Sequence, residues 1–337
     1  MRRPLVVLDA DVLGRRRTGD ETYVENLLRE LPAAAPELRL AAVTRHPELV
    51  PEGVEPVELP ARSQEWRMAS SLPRLLRRLR PALAHFQHSL PLRCPCPAVV
   101  TVHDLSFERD PSVMSWADRL VFRTVVPRSA RGAARVIAVS ERTRADLVEL
   151  YGIPRDRIVV TPHGVDPVFR PDGVAGGDYL LFVGAVQRRK DPLAALRAAE
   201  GAGLRLVVVG PPKDPALADE LQRQGASVRG WVEKEELAEL YRGAAALLLP
   251  TRYEGFGLPV LEAMATGTPV VATPDPALRE VAGDAAVYAE AGELADAVRS
   301  ALERRGELVA AGLERARRFS WQETARLTAE AYRVVLG

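Results

Sequence analysis

Two α/β domains, each a parallel sheet wound with helices, are the fold class that this sequence predicts, and three observations predict it. Short β-branched runs alternate with helical patterns from end to end, as repeated βαβ units require. A length of 337 residues is enough for two cores of ordinary size. A proline- and glycine-rich stretch, residues 167–177, splits the strand series in two.

In order, residues 5–9 read as the first strand, 22–31 as a helix and 38–44 as the next strand; 82–86, 98–103 and 136–140 continue the first sheet. The second series runs through 179–183, 204–209, 228–230, 245–250 and 270–272. The expected division is therefore residues 1–166, a linker at 167–177, a second domain at 178–318 and a terminal helix in 319–337. Open parallel sheets bind ligands at the carboxyl ends of their strands, which makes the cleft between two such domains the natural site.

Composition narrows the function. A hydrophobic fraction of 47% and a charged fraction of 27% are those of a soluble globular chain, and no apolar run approaches the ~18 residues of a membrane span. Leu5 to Leu8 is too short for a signal-peptide core, so a cytoplasmic location is expected. Net charge is +1, with residues 1–165 holding 25 basic against 20 acidic side chains and the remainder 21 against 25. That asymmetry is too mild for a nucleic-acid binder. Only Lys190, Lys213 and Lys234 stand against 43 arginines, which makes Lys190 conspicuous. Cys94 and Cys96, with His85 and His88 upstream, offer four zinc-type ligands, but C-x-C split by proline is poor structural-zinc spacing, and a reduced structural pair is the expectation.

The most informative stretch is Glu254-Gly-Phe-Gly-Leu-Pro-Val-Leu-Glu262. The apolar run 244–250 reads as a buried strand, 252–257 as a tight loop and Pro259 as the opening of a helix ending near Gly267. A helix N-terminus carries unpaired N–H groups and partial positive charge, so with two glycines beside it the turn suits a diphosphate. Carboxylates flanking such a cradle would repel the anion and must grip neutral polyols; a nucleotide sugar meets both demands. The competing reading makes Glu254 a solvated loop acid and Glu262 a helix surface acid.

This segment closely resembles the E-x7-E signature of the GT4-type, group 1 family of retaining glycosyltransferases, which includes many bacterial mannosyl-, glucosyl- and rhamnosyltransferases. The resemblance implies the GT-B architecture, two facing Rossmann-like domains with an interdomain cleft. It also implies that Glu254 lies near the donor-sugar hydroxyls, that Glu262 binds ribose, and that Gly255, Phe256, Gly257 and Leu258 line the donor site.

Further matches follow in the family's order. Gly184-Ala-Val-Gln-Arg-Arg189-Lys190 resembles the glycine-then-Arg-Lys phosphate element, although many members carry arginine where this chain has Ala185. Arg189 and Lys190 are jointly expected to neutralise a leaving diphosphate. His103-Asp104 resembles the family's H-D segment at a strand end, with His103 set to touch a donor hydroxyl or assist the acceptor. Asp104 is given no catalytic step. The Gly19 turn corresponds to the family's glycine-rich loop opening the first helix, though Asp20 and Glu21 stand where relatives show small residues and are also ordinary capping acids. Residues 159–169, through His163-Gly164, resemble the hinge before the second domain.

Asp9-Ala-Asp11 matches a metal-binding D-x-D pattern, but its place at the end of the first strand resembles the Asp-Ala opening of relatives with two facing domains, and no metal site is expected. Neither a dinucleotide fingerprint nor a P-loop is present, and Ser140 lacks the glycines of a nucleophile elbow.

The expected activity is metal-independent, front-side retaining transfer of a hexose from a nucleoside diphosphate sugar, the donor substrate and not a cofactor, to a glycan or lipid-linked hydroxyl. A nucleotide-sugar epimerase of similar fold and a non-catalytic nucleotide-sugar-binding subunit are the alternatives. Residues 66–80 mix arginines and leucines at helical spacing and offer a peripheral contact with an anionic inner-membrane surface, against the plainer reading of a core-facing helix with a basic solvated side. Base, sugar, acceptor and oligomeric state are silent in the sequence.

Overall fold

The computed structural model describes residues 3–15, 19–61, 63–110, 114–173 and 176–337. Among them, one compact unit gathers Met1–Leu105, Ser115–Gly164 and Trp321–Gly337, and the other Ser106–Met114 and Val165–Ser320.

The first unit holds seven strands: β1 (Leu5–Asp9), β2 (Arg39–Thr44), β3 (Glu55–Glu58), β4 (Leu83–Gln87), β5 (Ala98–Val102), β6 (Arg135–Ala138) and β7 (Ile158–Val160). Every pairing is parallel, in the order β3-β2-β1-β4-β5-β6-β7. All five residues of β5 are buried, because helices cover both faces of a parallel sheet and the strand reads as an unbroken apolar run. The second unit holds β8 (Tyr179–Val183), β9 (Arg205–Val209), β10 (Ser227–Val228), β11 (Ala246–Leu249), β12 (Val270–Ala272) and β13 (Ala286–Tyr288), in the parallel order β10-β9-β8-β11-β12-β13. Leu180, Phe182, Leu206, Val208, Leu248 and Val271 supply one side of its core, closed by Leu196 and Ala199 of helix Pro192–Gly201 and by Val298 and Ala301 of helix Leu294–Glu303.

Both units are thus Rossmann-like, and in each the strand order reverses once, between β1 and β4 and between β8 and β11. Loops leaving the two central strands there diverge to opposite faces and open a crevice. Three strands escaped the sequence reading, β3, β7 and β13, and all are sheet edges. Glu55-Pro-Val-Glu shows why: an edge tolerates charge and proline, so the apolar signal is missing.

Residues 167–177, read from sequence as a linker, are packed where described. The long stretch of the second unit starts at Val165. Asp166 accepts from Lys234 Nζ at 3.1 Å, Phe169 meets Tyr241 edge-on at 5.8 Å, and Gly176 N donates to Arg242 O at 3.1 Å. Prolines and glycines here permit turns against a surface rather than mark a free tether. Helix Trp321–Leu336 belongs to the first unit: Tyr332 OH lies 2.6 Å from His85 Nδ1, and Arg333 donates to Glu37 and to Ala34 O.

The D-x-D pair is structural. Arg67, fully buried in a π turn at Arg67–Ser71, donates to both oxygens of Asp9 at 2.9 and 2.5 Å. Arg45 takes both oxygens of Asp11 at 2.8 and 2.9 Å, and Arg15 pairs with it too. Burial raises the Asp11 pKa, but these arginines outweigh it and hold the carboxyl below its ordinary range.

The same segment carries the residues of the membrane expectation. Leu72, Leu75 and Leu76 are buried in the first unit's core, while Trp66 at the start of the segment is 56% exposed. Only Arg74, Arg77, Arg78 and Arg80 remain as an exposed basic side. No helix among the described residues is long and apolar enough to cross a membrane.

Candidate active site

The second unit's reversal point carries most of the predicted residues. The loop after β8 holds Gly184, Arg189 and Lys190, and the loop after β11 holds Glu254 to Gly257 before helix Leu258–Ala265. Gly184 has φ +147°, and a Cβ there would fall 2.8 Å from Lys190 Cδ and 2.9 Å from its Nζ. Its glycine therefore makes room for the lysine. Arg188–Lys190 form a single 3-10 turn that buries Arg189 and Lys190 and leaves Arg188 exposed. The run of three cations is thus split between site and solvent.

The two loops clasp each other. Arg252 N donates to Arg189 O at 3.0 Å, and the Arg189 guanidinium donates back to Tyr253 O. Lys190 Nζ lies 3.0 Å from Glu254 Oε1, with Arg189 Nη1 3.8 Å from the same oxygen. Burial raises the Glu254 pKa, yet the charges of Lys190 and Arg189 and hydrogen bonds from Lys190 and Thr251 prevail and hold it below the ordinary range. Glu254 is an ionised, buried carboxylate locked to two cations, not a solvated loop acid. Asp275 completes the frame, accepting from Glu254 N at 3.3 Å and Ala277 N at 2.8 Å.

Gly257 caps the following helix at φ +107°, where a Cβ would come within 2.6 Å of Leu278 Cδ2, and no side chain caps the helix start. Phe256 is buried against Phe319, ring centroids 6.0 Å apart, and Leu258 is half-buried. Glu262 sits one turn into this helix, buried, its Oε2 accepting from Tyr241 OH at 2.8 Å. Burial pushes its pKa up to about 7, against the Tyr241 hydrogen bond and the nearby Lys234 charge. Tyr241, Asp275 and the Lys234–Asp166 pair were missed in the sequence. One signal for them existed: Lys234, like Lys190, is one of only three lysines.

His103 and Gly19 lie in the first unit. Gly19 opens helix Gly19–Ala34; residues 16–18 of the preceding turn lie outside the described residues. His103 Nε2 is 2.9 Å from Gln87 Oε1, and its Nδ1 is 3.9 Å from Asp20 Oδ1. Burial takes the imidazole pKa down to about 4, with the charges of Asp20 and Asp104 acting against it, so the ring is neutral at pH 7. The four-ligand zinc set does not assemble: Cys94 and Cys96 are free thiols 3.9 Å apart, while His85 is bonded to Tyr332 and Thr101.

Sequence profiles agree with this division. "Glycosyltransferase Family 4" matches residues 17–169, and "Glycosyl transferases group 1" matches residues 177–304. The O-antigen chain mannosyltransferase B of Escherichia coli is 30% identical over 270 residues, covering 71% of this chain and 70% of that protein. This chain belongs to the family 4, group 1 glycosyltransferases.

The D-inositol 3-phosphate glycosyltransferase of Frankia alni is 33% identical over 243 residues, 61% of this glycosyltransferase and 60% of that relative. The crystal structure of Anabaena HepE in complex with UDP and glucose superposes with a TM-score of 0.74 at 15% identity, over 98% of this chain and 99% of that one, a likeness of fold. The glycosyltransferase therefore has the two-Rossmann-like GT-B architecture and uses a nucleotide-sugar donor.

Proposed function

We propose that the enzyme transfers a hexose from a nucleoside diphosphate sugar to a hydroxyl of a glycan or lipid-linked glycan with retention of anomeric configuration, and that the donor diphosphate is neutralised by side chains. The observation that carries this is the buried Arg189–Lys190–Glu254 cluster beside an uncapped helix start. Two cations at one reversal point, beside the positive end of a helix, stabilise the charge that grows on a departing diphosphate.

Glu262, one helical turn on, is assigned to the ribose hydroxyls, and Glu254 to hydroxyls of the transferred sugar. Glu254 also positions Lys190, because their ion pair fixes the ammonium next to Gly184. His103, neutral and buried, is assigned to a donor or acceptor hydroxyl. The acceptor attacks the face from which the diphosphate departs, and a leaving-group oxygen takes its proton. UDP-sugars and mannosyl donors are the first to test, since HepE was solved with UDP and glucose and the E. coli relative is a mannosyltransferase. Any contact with an anionic membrane rests on the basic side of helix Leu72–Leu79 and on the exposed Trp66 before it.

The test is a donor and acceptor panel with product analysis by NMR. Retained anomeric configuration is expected, and an inverted product removes the retaining assignment. Glu254→Gln separates the two carboxylates. Nucleoside diphosphate affinity should hold or rise, because Lys190 and Arg189 lose an internal competitor for phosphate, while kcat falls by about tenfold or more from a lost charge-assisted contact. Equal losses in product binding and turnover would overturn this division of labour.

A further inference from the structure

We propose that Cys94 and Cys96 form a peroxide-reactive dithiol, in which Cys94 attacks the oxidant and Cys96 then closes a disulfide onto it. The pair lies in the first unit, in the loop of residues 88–97 that joins β4 to β5. The chain bends at Pro95 and Cys96, and this folds the Cys94 side chain back over its neighbour: its Sγ is 3.3 Å from Cys96 O and 3.9 Å from Cys96 Sγ. Fully extended, residues two apart span at most about 6.6–7.2 Å between Cα atoms, and a bend shortens that towards the roughly 4.4–6.8 Å that a disulfide bridges. Side-chain rotation alone then brings the sulfurs to bonding distance. Both cysteines are half-buried, but Leu92, Arg93, Pro95 and Pro97 around them are exposed, so a small oxidant can reach the sulfurs from solvent.

The two thiols have different roles because they share a proton. A hydrogen bond from the Cys96 thiol brings the Cys94 pKa down to about 7 against the effect of burial, and the Cys96 main chain assists. The same hydrogen bond, burial and the Cys94 charge hold the Cys96 thiol up. Cys94 is thus the thiolate, and the thiolate is the nucleophile. Its sulfur attacks one oxygen of hydrogen peroxide, the O–O bond breaks, hydroxide leaves, and Cys94 becomes a sulfenic acid. Cys96 sulfur then attacks Cys94 sulfur, the S–O bond breaks and a second hydroxide leaves. With the two thiol protons, the products are one disulfide and two waters. The sulfurs are free for this chemistry because other groups pin the loop: Leu90 N donates to Ser129 Oγ at 2.9 Å, Arg128 donates to Leu92 O at 2.9 Å, and Leu92 N donates to Met68 O at 3.1 Å. A ring that spans only Cys94-Pro-Cys96 constrains the unfolded chain little, so the bond is of the labile kind and not a structural staple.

The test treats reduced protein at neutral pH with a small excess of hydrogen peroxide and follows it by intact and peptide mass spectrometry. The parent should lose two hydrogens within the peptide that carries both cysteines, and reduced glutathione should restore them. Cys96→Ser keeps a hydrogen-bond donor beside Cys94 but cannot close the ring, so it should stop at a sulfenic acid on Cys94 that dimedone traps. Cys94→Ser, left with the thiol of ordinary acidity, should react about tenfold more slowly. Phenylarsine oxide gives a second readout that needs no oxidation: one equivalent should block both thiols of the reduced parent together. Serine is close to cysteine in size, and circular dichroism verifies the fold of each variant. Equal rates in the two single variants, a disulfide only between separate chains, or stepwise gain of oxygen in the parent with no loss of two hydrogens would overturn the proposal.

Discussion

Removing both buried cations, Arg189→Ala with Lys190→Ala, should lower kcat by about 10²–10³-fold while weakening donor binding less. Charge on the diphosphate increases as the glycosidic bond breaks, so donors fixed beside it act mainly on the transition state, and losing one such donor typically costs about 10²–10³ in rate. Structure adds a control that the sequence could not. The double variant strands Glu254, a buried carboxylate whose ion partners are those two side chains, 3.0 and 3.8 Å away. Part of any loss would then come from an uncompensated charge. The triple variant with Glu254→Gln removes that penalty. If the triple variant turns over as fast as Glu254→Gln alone, or if the double variant changes only KM, the cations do not act on the leaving group. Saturation kinetics with a matched donor and acceptor make the measurement.

Glu262→Gln should weaken free nucleoside diphosphate binding by about 1.5–3 kcal/mol at pH 8 and, in the same variant, stabilise the unliganded second unit. The sign follows from the raised pKa. Folded Glu262 titrates at about 7, above the ordinary 4.5. Between those two values the native state holds more protons than the unfolded chain, so stability falls as pH rises through that window. Above pH 7 the full cost is present, on the order of 3 kcal/mol at 1.36 kcal/mol per pKa unit. Glutamine keeps an acceptor for Tyr241 OH and carries no charge. Its advantage in calorimetric Tm should appear at pH 8 and vanish below about pH 4.5. In the parent, nucleotide affinity should rise between pH 6 and 8 as the carboxylate forms. A variant that binds nucleoside diphosphate normally would remove the ribose assignment, and one with no gain in stability at pH 8 would remove the strained-carboxylate account.

Much of this molecule was legible in the order of its residues. Tyr179–Val183 and Ala246–Leu249 announce themselves as buried strands because parallel strands covered on both faces must be apolar throughout. Gly257 and Pro259 mark a helix start through backbone constraints that are local, and Glu254, Arg189 and Lys190 fall at strand ends, where α/β chains bind ligands. Periodicity, turn chemistry and motif spacing are properties of neighbours in the chain, so the chain alone determined the two α/β domains and pointed to the residues that meet at the second unit's reversal point.

Tertiary structure decided which groups meet. Arg67 and Asp9 are 58 positions apart and form one buried pair, which turned a metal-like D-x-D into a structural contact and removed Arg67 from a supposed surface. Leu72, Leu75 and Leu76 carry the same amphipathic pattern whether they face a bilayer or a core, and only packing chose the core. Whether Glu262 is an ordinary acid or one titrating near 7 depends on Tyr241 and the burial around it, from another helix. Asp20 and His103 come together only because the strand order places β1 beside β4 and β4 beside β5. Charge pairing and desolvation act through space over a few ångströms, and sequence separation carries no record of that distance.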